Sequence, residues 1–168
     1  MTKFRDTFET NVYGPVLVSE AFRLLLLKSS NAYSLFITSG LGSLGLASDP
    51  SSPHYGYQGT SYRASKSALN MVVVEEQKVC KGKVKVFTCC AGLVVSNLRG
   101  TSDAARQAGG NAEDPETSAK MVLDVLEGRR EEDVGKFIQR PGLFAWGFLE
   151  YSLLKHAGSN HGGCLLRR

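Results

Sequence analysis

Tyr62 and Lys66 stand four residues apart in Ser61-Tyr62-Arg63-Ala64-Ser65-Lys66-Ser67-Ala68-Leu69-Asn70. On a helix, positions i and i+4 share one face, a turn apart. The lysine ammonium then sits beside the tyrosine phenol. A free phenol titrates near pH ~10 and is a poor base at neutrality. A fixed positive charge nearby favours the phenolate and moves that pKa down, toward the range where proton transfer is useful. The same spacing also describes many solvated helix turns, so the chemistry depends on what else reaches the pair.

Three other segments can reach it. Residues 33–38, Tyr-Ser-Leu-Phe-Ile-Thr, read as a short buried strand entered after polar Ser29-Ser30-Asn31. Ser39 falls at the strand's C-terminal end, the side on which open α/β sheets bind ligands. Its hydroxyl can hydrogen-bond a carbonyl while Tyr62 moves the proton; the alternative is a plain turn start. Upstream, Phe4, Phe8, Val12, Val16, Phe22, Leu25 and Leu26 recur with helical period, and Thr2 is the expected N-cap. Pro15 lies inside this pattern without an N–H, which predicts a kink that frees the carbonyl of Asn11. Such a carbonyl can hold an ordered water; a structural kink with a solvated Asn11 is the alternative. Downstream, Lys83 to Cys89 first alternates polar and apolar residues and then turns continuously apolar, as a buried strand does. It runs into Ala91-Gly92-Leu93-Val94-Val95-Ser96. A glycine just past a strand end permits close backbone approach to a ligand.

Together these residues resemble the short-chain dehydrogenase/reductase family over residues 3–146. The matching pieces, in order, are Asn11-x-x-Gly14, the strand-end Ser39, Tyr62-x-x-x-Lys66, and Ala91-Gly92-x-Val94-x-Ser96. The resemblance implies that Tyr62 is the catalytic acid/base, and that Lys66 lowers its pKa and holds the nicotinamide ribose. It further implies that Ser39 orients the carbonyl or hydroxyl, that the Asn11 carbonyl holds a relay water, and that Val94 and Ser96 meet the nicotinamide end of the cofactor. Ala91 stands where the family usually has Pro, and Ser96 where it usually has Thr. The 23-residue step from Ser39 to Tyr62 holds Asp49, Pro50, Pro53, His54, Tyr55 and Tyr57, and reads as an ordered loop that shapes the substrate pocket.

The largest departure is at the front. The family's fold opens with a strand, a glycine-rich turn and a helix that bind the cofactor pyrophosphate. Here no glycine-rich turn precedes the Asn11 helix. The expectation is therefore the C-terminal catalytic half of such a domain, as a piece of a longer enzyme or a natural truncation, with weak cofactor affinity and an open edge at its first strand. Gly40-Leu41-Gly42-Ser43-Leu44-Gly45 fits G-x-G-x-x-G, but that motif must open a helix with an acidic residue roughly 20 positions on. The following Ala47-Ser48-Asp49-Pro50-Ser51-Ser52-Pro53 reads as a loop, so these glycines are expected to keep the floor of the site narrow.

The remaining signals bound the class. The length of 168 residues suits one domain with a real core, and 42% hydrophobic with 21% charged residues is ordinary. A net charge of +4 with no basic run beyond two residues does not describe a nucleic-acid binder. The four cysteines, Cys80, Cys89, Cys90 and Cys164, lack metal spacing and read as free thiols in a reducing, cytoplasmic setting. Leu24 to Leu27 is too short a run to span a membrane. His54 reads as a surface-loop histidine, with lining of the pocket as the alternative. The small, polar region 101–113 matches the family's mobile substrate lid. Asp114-Pro115-Glu116 marks a helix start, and Gly128 caps that helix after Glu127. Residues 147–168 read as a disordered tail.

The expected fold is α/β: a partial Rossmann-like, doubly wound sheet with at least three parallel strands near 33–38, 84–89 and 135–139. The resemblance implies an NAD(P)-dependent oxidoreductase that interconverts a small-molecule carbonyl and a secondary alcohol, of a type often found in secondary metabolism. NADP is preferred over NAD on family habit. A homodimer through the Asn11 and Tyr62 helices is expected. The competing expectation is an inactive remnant that serves as a dimerisation module.

Overall fold

A computed structural model describes residues 1–140 and 142–147. The chain opens with an unbroken helical stretch: α1 (Thr2–Phe8), a π-helical turn (Glu9–Tyr13) and α2 (Gly14–Leu26). Met1 rather than Thr2 is the N-cap, and no side chain caps this end, because the backbone is already helical at Thr2. The kink expected at Pro15 is instead absorbed as the π turn. Pro15 offers no N–H to the Asn11 carbonyl, and the Gly14 N–H reaches back five residues to Glu9. The turn therefore places Asn11 on its widened section.

Strand β1 (Ala32–Thr38) pairs in parallel with β2 (Val84–Cys90), in a register that runs from Ala32 opposite Val84 to Thr38 opposite Cys90. This alignment brings the carboxyl ends of both strands level, with Ser39 just beyond. β3 (Phe137–Gln139) lies parallel on the other side of β2, and β4 (Gly142–Leu143) turns back antiparallel to β3. The order is β1-β2-β3-β4, so β1 is an edge among the described residues. The three expected parallel strands are present. The antiparallel β4 was not foreseen, since two residues carry no periodic signal.

Helices cover both faces. Between β1 and β2 come α3 (Leu44–Ser48) and the long α4 (Thr60–Val79); after β2 come α5 (Asp103–Arg106) and α6 (Glu116–Leu126). Alternation along β2 divides its side chains: Val84 and Val86 join Ala32, Phe36, Leu69, Val73 and Cys80 under α4, whereas Phe87 and Cys89 join Met121, Val125 and Ile138 under α6. A central parallel strand buried on both faces reads as a nearly continuous apolar run, which is why β2 was legible. The Asp114 carboxylate accepts the Glu116 N–H at 2.8 Å and starts α6 as expected. Gly128 closes it at φ +77°, a conformation that glycine adopts without strain. Of the expected tail, 147–168, all but Gly147 lies outside the described residues.

Candidate active site

α4 presents Tyr62, Ser65, Lys66, Leu69, Asn70 and Val73 along one face, and the last five of these are buried. Leu69 and Val73 anchor that face in the core. They hold the first turns of the helix over the ends of β1 and β2. Gly42 makes this approach possible: a Cβ there would meet the Lys66 backbone carbon at 2.7 Å and the Ser67 nitrogen at 2.8 Å. The expectation that the 40–45 glycines narrow the floor of the site is met at this contact. Gly40–Gly42 form a 3-10 turn and Leu44–Ser48 a helix of only 5 residues, shorter than a phosphate-binding helix but further into the segment than the expected loop allowed.

The predicted residues converge. The Ser39 side chain lies close enough to the Tyr62 phenol to draw its pKa down, and Ser39 Oγ accepts the Leu41 N–H at 3.2 Å. Asn11 Nδ2 donates to Ser65 Oγ at 3.0 Å, and Ser65 Oγ donates to the Tyr62 carbonyl at 2.7 Å. The π turn is thus tied to the turn of α4 that carries Tyr62. Beneath them, Thr38 Oγ1 donates to Asn70 Oδ1 at 2.6 Å and locks the end of β1 to α4. Ser65, Thr38 and Asn70 carry no signal that sequence reasoning could use. Ser65 lies inside the quoted motif, but its partner is 54 positions away.

The electrostatics differ from the expected arrangement in one respect. Burial pushes the Tyr62 phenol above its ordinary value, the Ser39 hydrogen bond pulls it down, and nearby Cys90 and Tyr57 push it up; the balance is upward. The Lys66 ammonium donates to the Ile37 main-chain carbonyl at 3.0 Å and lies over the Tyr62 ring, 5.7 Å from its centre. Burial lowers the Lys66 pKa, opposed by Cys90.

Around this core, Cys90 Sγ accepts the Gly40 N–H at 3.4 Å. Cys89 is buried on the α6 face, and burial pushes its thiol up to about 12. His54 is not a surface histidine. It is half-buried, its ring meets Phe144 edge-on at 5.8 Å, and burial followed by the Arg63 charge lowers its pKa. Gly40 is needed at this contact, because a Cβ would lie 2.7 Å from the Phe144 ring.

The post-strand segment runs alongside. Gly92 has φ +75° and nothing within 4 Å of a Cβ position, so its backbone conformation rather than a protein contact calls for glycine. Val94 bridges in parallel to Glu113, and the Ser96 N–H donates to the Arg106 carbonyl. Arg99 clamps this stretch to the predicted lid: its Nη2 donates to the carbonyls of Val94 at 2.8 Å and Arg106 at 2.7 Å. Asn11 and Lys66 line one cavity between α2 and β1, and Val94 and Ser96 lie on the strip beyond β2. Among the described residues no strand leads through a glycine-rich turn into a long helix, so no pyrophosphate cradle is built from them. No group of His, Cys, Asp or Glu among the described residues is placed to hold a metal ion, and no helix there is long and apolar enough to cross a membrane.

No family model matches the chain. Individual proteins do. The short-chain dehydrogenase/reductase tropE of Talaromyces stipitatus is 32% identical over 149 residues, covering 80% of this chain and 55% of that protein. The short-chain dehydrogenase/reductase eupG of a Phoma species is 31% identical over 145 residues, covering 77% of this chain and 52% of that protein. Among solved structures, an NADPH-bound carbonyl reductase from chicken fatty liver superposes with a TM-score of 0.68 at 26% identity, over 87% of this chain and 58% of that one. The chain thus spans about half the length of the curated relatives it matches. The shared fold, the sequence likeness and the convergence of Asn11, Ser39, Tyr62 and Lys66 agree: this chain belongs to the short-chain dehydrogenase/reductase family.

Proposed function

We propose that the chain carries the acid–base centre of an NAD(P)-dependent oxidoreductase that interconverts a small-molecule carbonyl and a secondary alcohol. The observation that carries this reading is the meeting of Ser39 and Tyr62 at the carboxyl end of β1, with half-buried Asn11 and buried Lys66 beside them. The chicken carbonyl reductase is NADPH-bound, which supports NADP(H) as cofactor here. When bound, the cofactor supplies the hydride.

The chain's own residues do the rest. The Ser39 hydroxyl donates to the carbonyl oxygen and fixes its direction. Tyr62 Oη gives that oxygen its proton as negative charge develops there. The phenolate left behind is reprotonated through water at the Asn11 carbonyl. In the oxidative direction the phenolate removes the alcohol proton, which requires Lys66 close by as a cation. Leu41, His54 and Phe144 stand beside Ser39 and are proposed to shape the substrate side.

A dimer through the α1–α2 and α4 helices is part of this reading. It is supported by the exposed apolar side chains on α2, where Leu17 is 65% and Leu24 is 73% exposed. The inactive-remnant alternative has less support, because the side chains for chemistry are held in place by part-buried hydrogen bonds. The free thiols Cys80, Cys89 and Cys90 fit a reducing compartment such as the cytoplasm. Residues 1–146 are proposed as one catalytic unit. The test is NADPH oxidation by the purified chain across a panel of ketones, beside Tyr62→Phe. Turnover that the variant abolishes supports the reading; turnover equal in both removes Tyr62 from the mechanism.

A further inference from the structure

We propose that Arg63 and His54 hold the carboxylate of an acidic carbonyl substrate, in a cavity separate from the one between α2 and β1. This rests on the reading of Ser39 and Tyr62 as the pair that handles the carbonyl. Two polar atoms carry it. Arg63 Nη1 donates to the Tyr57 carbonyl at 2.7 Å, but Nη2 is shielded from water and bonds to nothing. His54 Nδ1 is in the same condition. Buried polar atoms in native proteins are nearly always paired, so each of these calls for a partner. The two residues are neighbours: after burial, it is the Arg63 charge that lowers the His54 pKa. Arg63 forms no ion pair among the described residues. One anionic group answers both needs, accepting from the Nη2 edge of the guanidinium and from the imidazole Nδ1–H. A planar carboxylate matches the planar guanidinium fork.

The place is joined to the reacting pair from two sides. Tyr57 lines the cavity, and its phenol acts electrostatically on that of Tyr62. His54 packs against Gly40, the residue after Ser39: a Cβ on Gly40 would lie 3.1 Å from His54 Nε2. The cavity measures about 530 Å³ and is lined by Tyr57, Gln58, Gly59, Thr60, Arg63 and Ala64, with no acidic side chain among them. It shares no lining residue with the cavity of Asn11 and Lys66, so its anion is assigned to the substrate and not to the cofactor. The start of α4 at Thr60 has no side-chain cap, and its field acts in the same direction as the Arg63 charge. Tyr57 and the Phe144 ring beside His54 offer apolar faces to the rest of an aromatic acid.

The test reads binding by the purified chain, without cofactor or turnover. Benzoylformate, an aromatic keto acid, is titrated by calorimetry beside its neutral methyl ester. The His54 ring is followed by nitrogen-15 NMR, with its signal assigned by His54→Gln. The acid should bind about tenfold or more tightly than the ester. It should also raise the His54 pKa by about one pH unit, because the bound carboxylate offsets Arg63 and favours the imidazolium. Arg63→Met should lose both effects, and Arg63→Lys, which keeps the charge without the fork, should keep only part of the binding. Equal binding of acid and ester, or a folded chain that binds no acid, overturns the proposal even if Arg63→Met fails to fold. So does an Arg63→Met that binds the acid as the wild type does. Inorganic phosphate that raises the His54 value as far as the acid does also overturns it, since the site would then take any anion. A chain that binds the acid through Arg63 but reduces no ketone leaves this carboxylate site standing and defeats the oxidoreductase reading instead.

Discussion

The two sides of the candidate site are fastened in different ways. On the α4 side, Asn11, Ser65, Thr38 and Asn70 join three elements by short side-chain hydrogen bonds, and only Asn11 of the four is not buried. On the β2 side, residues 91–113 lie half-buried or exposed, and main-chain bridges and the exposed Arg99 hold them. The difference suits the roles proposed for the two sides. A proton donor needs a fixed position, and buried, mutually satisfied polar groups supply it. A strip that admits a ligand must open, and surface contacts of modest strength allow that.

The sharpest way to break this contrast is at the chemistry. Tyr62→Phe should lower turnover by about 10²-fold or more while the thermal melt stays within a few degrees. Unchanged turnover would mean that the fixed side fixes nothing catalytic. Gly42→Ala comes next. Its Cβ would collide with the α4 backbone at Lys66, and overpacking of this kind costs about 1–3 kcal/mol. Urea denaturation measures it, and a loss below a few tenths would show that the floor can give.

Ser65→Ala sharpens the contrast further. It strips the Asn11 amide and the Tyr62 carbonyl of a shared partner inside a fully buried position, for a cost of about 1–3 kcal/mol. Arg99→Ala, on the other side, should leave global stability nearly unmoved. It should instead speed hydrogen exchange at the Val95 and Ser96 amides; equal protection in the variant would show that the clamp holds nothing.

The smallest effect concerns pH and lies away from both sides. Burial pushes the Glu76 carboxyl up, but the bond to Arg23, at 2.8 Å, and the bond to Cys80 outweigh it and hold the pKa below the ordinary carboxylate range. A lowered folded pKa adds stability above the unfolded value, and that stability is lost as pH falls through the folded one. Stability should therefore decline below about pH 4.5, and Glu76→Gln should flatten that slope. An identical slope in the variant would place the acid sensitivity elsewhere.

Much of this was legible in the chain. β2 announced itself as an apolar run because both of its faces are covered. α6 did so through Asp114, Pro115 and Gly128, each of which has a local physical role. Ser39, Tyr62 and Lys66 were legible through type and spacing. Residue types cannot show a main-chain acceptor, so the Ile37 carbonyl that holds Lys66 was invisible; the upward shift of Tyr62 was hidden as well, because it comes first from burial. Ser65 and Asn70 were hidden for a related reason: their partners are set by how the π turn and β1 meet α4, not by local sequence. His54 was misread because its burial depends on Phe144, which arrives from the far end of the chain.

The most direct test of the central claim is a calorimetric titration of the purified chain with NADPH, repeated with Lys66→Met. The account predicts saturable binding that the variant weakens about tenfold, near 1.4 kcal/mol. A folded chain that binds no NADPH, or binds it equally well without Lys66, would contradict it.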